Sequence, residues 1–365
     1  VARVLFLLIF LAEIASVLAK EVKQTRETAA QFVGAVGCRS SSCHGGAGEK
    51  RNQHITWSRQ DFHAKAFAIL TSARSQRIAE GAGITDAATN ARCTICHSPL
   101  QSVAQTRLAS TAHPDEGVSC ESCHNAAGPW LRGHTRKDWT YAMRVSAGMR
   151  DLKSLYVRAN SCVACHQNID VDLLKAGHPA LVFDLDSQST NEPKHWKDED
   201  PWSGARSWLI GQAVALREVS WRSRTDAEPA PDAHETSLAL AWLLARVTLA
   251  EPTLSDLEPL QEQADNLARQ VWNPNSNSTM SILRTLAETD SEFVASKQTS
   301  LQFFYRAKRL ALALDSLTRA INANGGALKI DNELNALRDE LKTQDDFSAA
   351  RFAEHLRALR AALVK

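Results

Sequence analysis

Every cysteine of this 365-residue chain belongs to a pair, and every pair is followed at once by histidine. Three pairs have the spacing C-x-x-C-H: Cys93, Cys96 and His97; Cys120, Cys123 and His124; Cys162, Cys165 and His166. The remaining pair, Cys38 and Cys43 before His44, has a wider spacing, so the loop Arg39-Ser40-Ser41-Ser42 must bulge outward. A chain attaches haem c in this way: two thiols add to the porphyrin vinyl groups, and the adjacent imidazole becomes the proximal iron ligand. Structural zinc also uses paired Cys and His, but it does not require a histidine directly after each second cysteine. Disulfide frameworks belong to small domains short of core, and iron–sulfur sites need three or four cysteines close together. The expectation is four covalently bound haem c groups, anchored by all eight cysteines, with His44, His97, His124 and His166 on the irons.

Composition bounds the class without adding chemistry. The formal charge of +1 is near neutral and leaves no basic nucleic-acid footprint. Haem propionates would make the loaded protein more acidic, which favours redox protein partners that present a basic docking patch. Arg3, the apolar run Val4 to Ala12 and the small residues Ser16-Val17-Leu18-Ala19 read as an export signal over residues 1–19. The run is shorter than the roughly 20 apolar residues that cross a bilayer. A retained anchor, with a membrane-associated redox complex, is the alternative. Both readings place the protein on the periplasmic face.

The sequence is expected to be mainly α, with little regular sheet. Residues 20–201 read as a tetrahaem cytochrome domain in which haems replace much of the side-chain core, so helices there are short and broken. Residues 202–365 lack cysteine and read as an all-α domain without haem. Helical spacing is expected over Trp202–Trp221, Asp232–Leu249, Ser255–Val271, Ser278–Ala287, Ser291–Asn322 and Ala327–Lys342, and again from Asp345. The stripes Phe303, Leu310, Leu314, Leu317, Ile321 and Phe352, Leu356, Leu359, Leu363 suit a bundle core, or a platform for docking or homo-oligomerisation.

What lies on the far side of each iron decides between carrier and catalyst. Eight histidines remain after the proximal four: His54, His63, His113, His134, His178, His195, His234 and His355. Paired imidazoles give lower potentials than a Met/His pair, and Met143 and Met149 read as gap-fillers. Several segments together resemble the multihaem cytochromes c of the cytochrome c-554 type. These are Gly37-Cys38 to Gly46, Trp57 with Phe62-His63-Ala64-Lys65-Ala66, Gly117-Val118-Ser119-Cys120-Glu121-Ser122-Cys123-His124 with Trp130 and His134, and Ala176-Gly177-His178-Pro179. The resemblance covers Val36 to Trp208 and implies closely stacked haems with His63, His134 and His178 as distal ligands. It also implies that the haem on His97 lacks a protein ligand on its far side. His195, in Pro193-Lys194-His195-Trp196, is the candidate that would close it. Asn125 stands where the family usually has glycine, and the C-terminal C-x-x-C-H of longer relatives is absent. Electron transfer between redox partners is the expected function. A haem enzyme with one open iron acting on a small nitrogen species such as nitric oxide is the alternative, and a subunit of a larger redox complex is another.

Overall fold

A computed structural model describes residues 30–167, 169–226, 228, 230, 232–248, 257–294 and 298–364. The expected export signal over residues 1–19 lies outside them. Among the described residues the protein is mainly α, and its sheet pairing is a single bridge between Phe32 and Leu108. Packing divides the chain into two compact units, one ending at Leu152 and the other beginning at Lys153. The sequence suggests a boundary after Pro201, where haem motifs stop. The packing boundary comes earlier, so the last motif shares a unit with the long helices.

The first unit is built of short helices joined by loops. They are α1 (Gly34–Cys38), α2 (Gln53–Gln60), α3 (Ala66–Leu70), α4 (Ala73–Gly81), α5 (Ala91–His97), α6 (Cys120–His124) and α7 (Tyr141–Ser146). Side chains cap several of them: Asn90 accepts from the Arg92 N–H ahead of α5, and Thr140 from the Met143 N–H ahead of α7. Apart from small alanines, the apolar side chains buried among the described residues here are Leu70, Ile84, Leu100 and Trp130. So few large groups make a thin core for a unit of this length, as expected where flat cofactors supply apolar bulk.

The second unit contains α8 (Leu155–His166), α9 (Val171–Lys175), α10 (Leu185–Asn191), α11 (Ser203–Thr225), α12 (Ala233–Thr248), α13 (Leu257–Arg269), α14 (Ser276–Ala287), α15 (Ser300–Ala323), α16 (Asp331–Asp339) and α17 (Ala349–Ala362). Helix α11 is the central strut. Trp208, Leu209, Ile210, Ala213, Val214, Ala215 and Leu216 are all buried, so its middle is covered on every side, and it packs on α8, α10, α12, α13 and α15. The expected helix Ser291–Asn322 begins instead at Ser300. A 3-10 segment, Glu288–Phe293, first extends α14, and a capping box between Thr299 and Gln302 then starts α15. Phe293 meets Phe352 at 4.9 Å between ring centroids, tying this segment to α17.

Candidate functional site

On a helix, positions i, i+3 and i+4 share one face. The spacing C-x-x-C-H therefore puts both thiols and the imidazole on one side of a single turn. In α5, α6 and α8 the histidine is the last helical residue, so each motif presents its three groups at a helix C-terminus. The wider motif is built differently. Cys38 ends α1, and the chain then turns through Arg39–Cys43, exposed throughout, before His44. The Cys43 and Gly45 N–H groups both donate to the Ser40 carbonyl, at 2.9 and 3.0 Å. Gly45 is required there, because a Cβ on it would lie 1.8 Å from the Arg39 carbonyl oxygen.

Three motifs fall in the first unit, and the Cys38 and Cys120 thiols lie close enough to shift each other's pKa, down for Cys38 and up for Cys120. Haems attached at these two motifs would thus share neighbouring anchor points. A buried carboxylate fastens the arrangement. Glu121, between the two cysteines of its motif, accepts the N–H groups of Gly34 at 2.7 Å, Val33 at 3.1 Å and Ala127 at 2.6 Å. Glu116 takes the Ala35 N–H with both oxygens, at 3.0 and 3.1 Å. Burial raises the Glu121 pKa despite those hydrogen bonds.

In six of the candidate ligand histidines the ring nitrogen nearer the backbone has a polar partner. His44 Nδ1 meets Gln53 Oε1 at 3.0 Å, His97 Nδ1 the Ala66 carbonyl at 3.1 Å, and His134 Nδ1 the Leu131 carbonyl at 2.5 Å. His63 Nδ1 meets Asp61 Oδ1 at 3.1 Å, and His178 Nδ1 the Pro179 carbonyl at 2.9 Å. His166 differs: its Nδ1 lies 3.2 Å from the Gln188 amide nitrogen, a donor. An acceptor on Nδ1 selects the tautomer whose lone pair is on Nε2, the nitrogen that binds a metal.

The rings of His44 and His134 are also neighbours and nearly parallel. Their ring centroids are 6.2 Å apart and their planes differ by 13°. Two imidazoles that bind one metal end-on through Nε2, with bonds of about 2 Å, would have ring centres about 6 Å apart. Trp130 packs edge-on against His134 at 5.4 Å and fixes its tilt. His63 is placed by a different device: the Trp57 indole N–H donates to the Val118 carbonyl at 3.0 Å, and the Val118 N–H to the His63 carbonyl at 3.0 Å. Gly117, with φ +77°, makes this approach, since a Cβ on it would lie 2.6 Å from that carbonyl oxygen. His54 packs on Trp57 at 5.5 Å, and burial, with Arg39 and His44 nearby, lowers its pKa.

In the second unit, α8 carries Cys162, Cys165 and His166, while Ala159 and Val163 on its other face are buried in the helical core. Arg158, one turn before Cys162, stacks over the Trp196 ring at 5.6 Å and pairs with Asp198 at 3.5 Å. His195 sits edge-on to Trp196 at 5.3 Å. The structure therefore associates His195 with the helix of the last motif. His178 closes α9, its N–H donating to the Leu173 carbonyl at 2.8 Å.

The residues present fit haem on three counts. Thiols and imidazole share a face, five of the imidazoles have an acceptor on Nδ1, and apolar side chains stand out beside the motifs. Ile95, inside the Cys93–Cys96 pair, is 57% exposed and Phe62, beside His63, is 79% exposed. Sequence reasoning missed the acceptors Gln53, Asp61 and Glu121, and Gln188 beside His166. Only Glu121 carried a local signal, a carboxylate inside a haem motif.

No curated protein and no solved structure matches the chain. Residues 37–125 match the family model described as cytochrome c554 and c-prime, a span holding the first three motifs and His63 and ending before His134. The match is shorter than the stretch Val36–Trp208 over which the resemblance is read. Residues 37–125 are thus similar to the cytochrome c554 and c-prime family, a likeness that implies covalently bound haem c and haem-based electron transfer.

Proposed function

We propose that this chain is an exported tetrahaem cytochrome that moves electrons between redox protein partners through mostly bis-histidine haems. The observation that carries the reading is the His44–His134 pair, two near-parallel imidazoles with ring centroids 6.2 Å apart and each with Nδ1 hydrogen-bonded. An iron closed on both faces exchanges electrons with little rearrangement and has no position for substrate. The cysteines Cys38, Cys43, Cys93, Cys96, Cys120, Cys123, Cys162 and Cys165 would hold the rings. His44, His97, His124 and His166 would serve as proximal ligands, with His63, His134 and His178 opposite and His195 a further candidate beside the last motif. Bound haem supplies reversible one-electron chemistry; the chain orients the imidazoles, fixes their tautomers and screens the rings from water. No described helix is long and apolar enough to cross a membrane. A periplasmic location is inferred from the haem c chemistry and the expected export signal. An acidic surface of propionate edges suits a partner with a basic patch.

The test is His134→Gly in the loaded protein. One haem per chain should turn high-spin in the electron paramagnetic resonance spectrum and bind added imidazole. An unchanged low-spin spectrum at full haem content would show that His134 is not a ligand.

A further inference from the structure

An acceptor on the Nδ1–H of a ligand imidazole pushes electron density onto Nε2, strengthens its donation to a metal and favours the oxidised state. Three motif histidines show their Nδ1 partner, and the partners differ. His97 uses a backbone carbonyl, that of Ala66. His44 uses the side-chain carbonyl of Gln53, whose amide N–H donates to the Glu49 carbonyl at 3.1 Å. That second bond fixes the amide so that oxygen faces the imidazole.

His166 meets the Gln188 amide at 3.2 Å. With the amide nitrogen toward the ring, Gln188 Oε1 is buried and makes no hydrogen bond. Rotating the amide by half a turn puts that oxygen on the Nδ1–H and gives the tautomer that iron binding requires. Gln188 is held independently of the motif. It lies on α10, which Asp184 caps by accepting the Ser187 N–H at 2.8 Å. Asp184 is tied in turn to Gln212 at 2.7 Å, and the buried Arg309 bonds Gln212 and the Phe183 carbonyl.

We propose that Gln53 and Gln188 are positioning residues that lower the reduction potentials of the haems on His44 and His166, by accepting the Nδ1–H of each proximal imidazole. The proposal rests on reading both motifs as haem sites. It gives the chain two side-chain settings that substitution can change, beside a backbone setting at His97 that it cannot.

The experiment compares the loaded wild type with Gln53→Leu, Gln188→Leu, Gln53→Glu and Gln188→Glu. Intact mass first counts haems; a wild type lacking haem at either motif would sink the haem reading rather than this inference. In redox titrations each Leu variant should raise the midpoint potential of one haem and each Glu variant should lower it. The two positions should move different haems and leave that of His97 in place. The g-values of the affected haem should move in opposite directions for Leu and Glu, which a merely loosened fold does not produce. Unchanged potentials, or shifts of one sign for both variants, overturn the proposal. Where a Leu variant fails to load haem, the near-isosteric Glu variant decides, and no downward shift there overturns it.

Discussion

Asn125 follows His124 with φ 68°, the one non-glycine residue with positive φ among those described. With ψ 168° it lies in a region that is essentially glycine's, at a cost of about 1–3 kcal/mol. Its side-chain N–H donates to the Gly148 carbonyl at 3.0 Å, which offsets part of that strain. The turn after this motif thus keeps a glycine conformation with asparagine in place. Asn125→Gly is expected to raise stability by up to about 1 kcal/mol in thermal unfolding; a lower melting temperature would show that the bond to Gly148 outweighs the strain. Glu121 is the opposite case, a residue whose loss costs far more than one contact. Glu121→Ala leaves the Val33, Gly34 and Ala127 N–H groups without their acceptor. Hydrogen bonds to a charged group contribute roughly 1.5–3 kcal/mol each, so denaturant unfolding should show a loss of at least about 3 kcal/mol. The cysteine pairs and the histidines after them stand out in the sequence because the motif is written in adjacent residues. Gln53, Gln188 and Asp61 were not, because a glutamine or aspartate is ordinary until folding sets it against an imidazole.

At the scale of elements, stripes of leucine and phenylalanine announced most of the C-terminal helices within a few residues. The start of α15 escaped because apolar spacing continues across a break that local polar bonds decide: Thr299 caps the Gln302 N–H, and Gln302 returns the bond to the Thr299 N–H. Also hidden was the buried link between α10, α11 and α15. Arg309 is 4% exposed, and burial lowers its pKa to about 10 against the pull of Asp184. Arg309→Met removes its hydrogen bonds to the Phe183 carbonyl and Gln212, and bonds made by a charged group are worth roughly 1.5–3 kcal/mol each, so urea unfolding should show a loss of about 3 kcal/mol. A loss below about 1 kcal/mol would mean that Asp184 takes up a proton and the network relaxes. A second lock joins α8 to α13. Burial pushes Asp265 up, but hydrogen bonds from Arg269, Arg217 and Tyr156 outweigh it and hold the carboxyl at about 2. An unfolded aspartate titrates near about 3.9, so this stabilisation is complete above that pH and is lost as pH falls toward 2. Asp265→Asn should therefore flatten the decline of stability between about pH 4 and pH 2. An equal decline in both proteins would contradict the assignment.

Across the whole molecule, the two units bury apolar surface in different ways. The second has a helical core around Trp208, Leu216, Leu240, Leu310 and Phe352. In the first, Leu70, Ile84, Leu100 and Trp130 are the large apolar side chains buried among the described residues, while Phe62 and Ile95 stand exposed beside the motifs. The contrast follows if cofactors complete the first unit and the second can pack by itself. The central claim is that every cysteine pair carries a haem. Intact mass of the purified, exported protein after denaturation tests it most directly, because only covalent haem survives. The account predicts one species, the mature chain plus four haems; a dominant species with fewer adducts would contradict it.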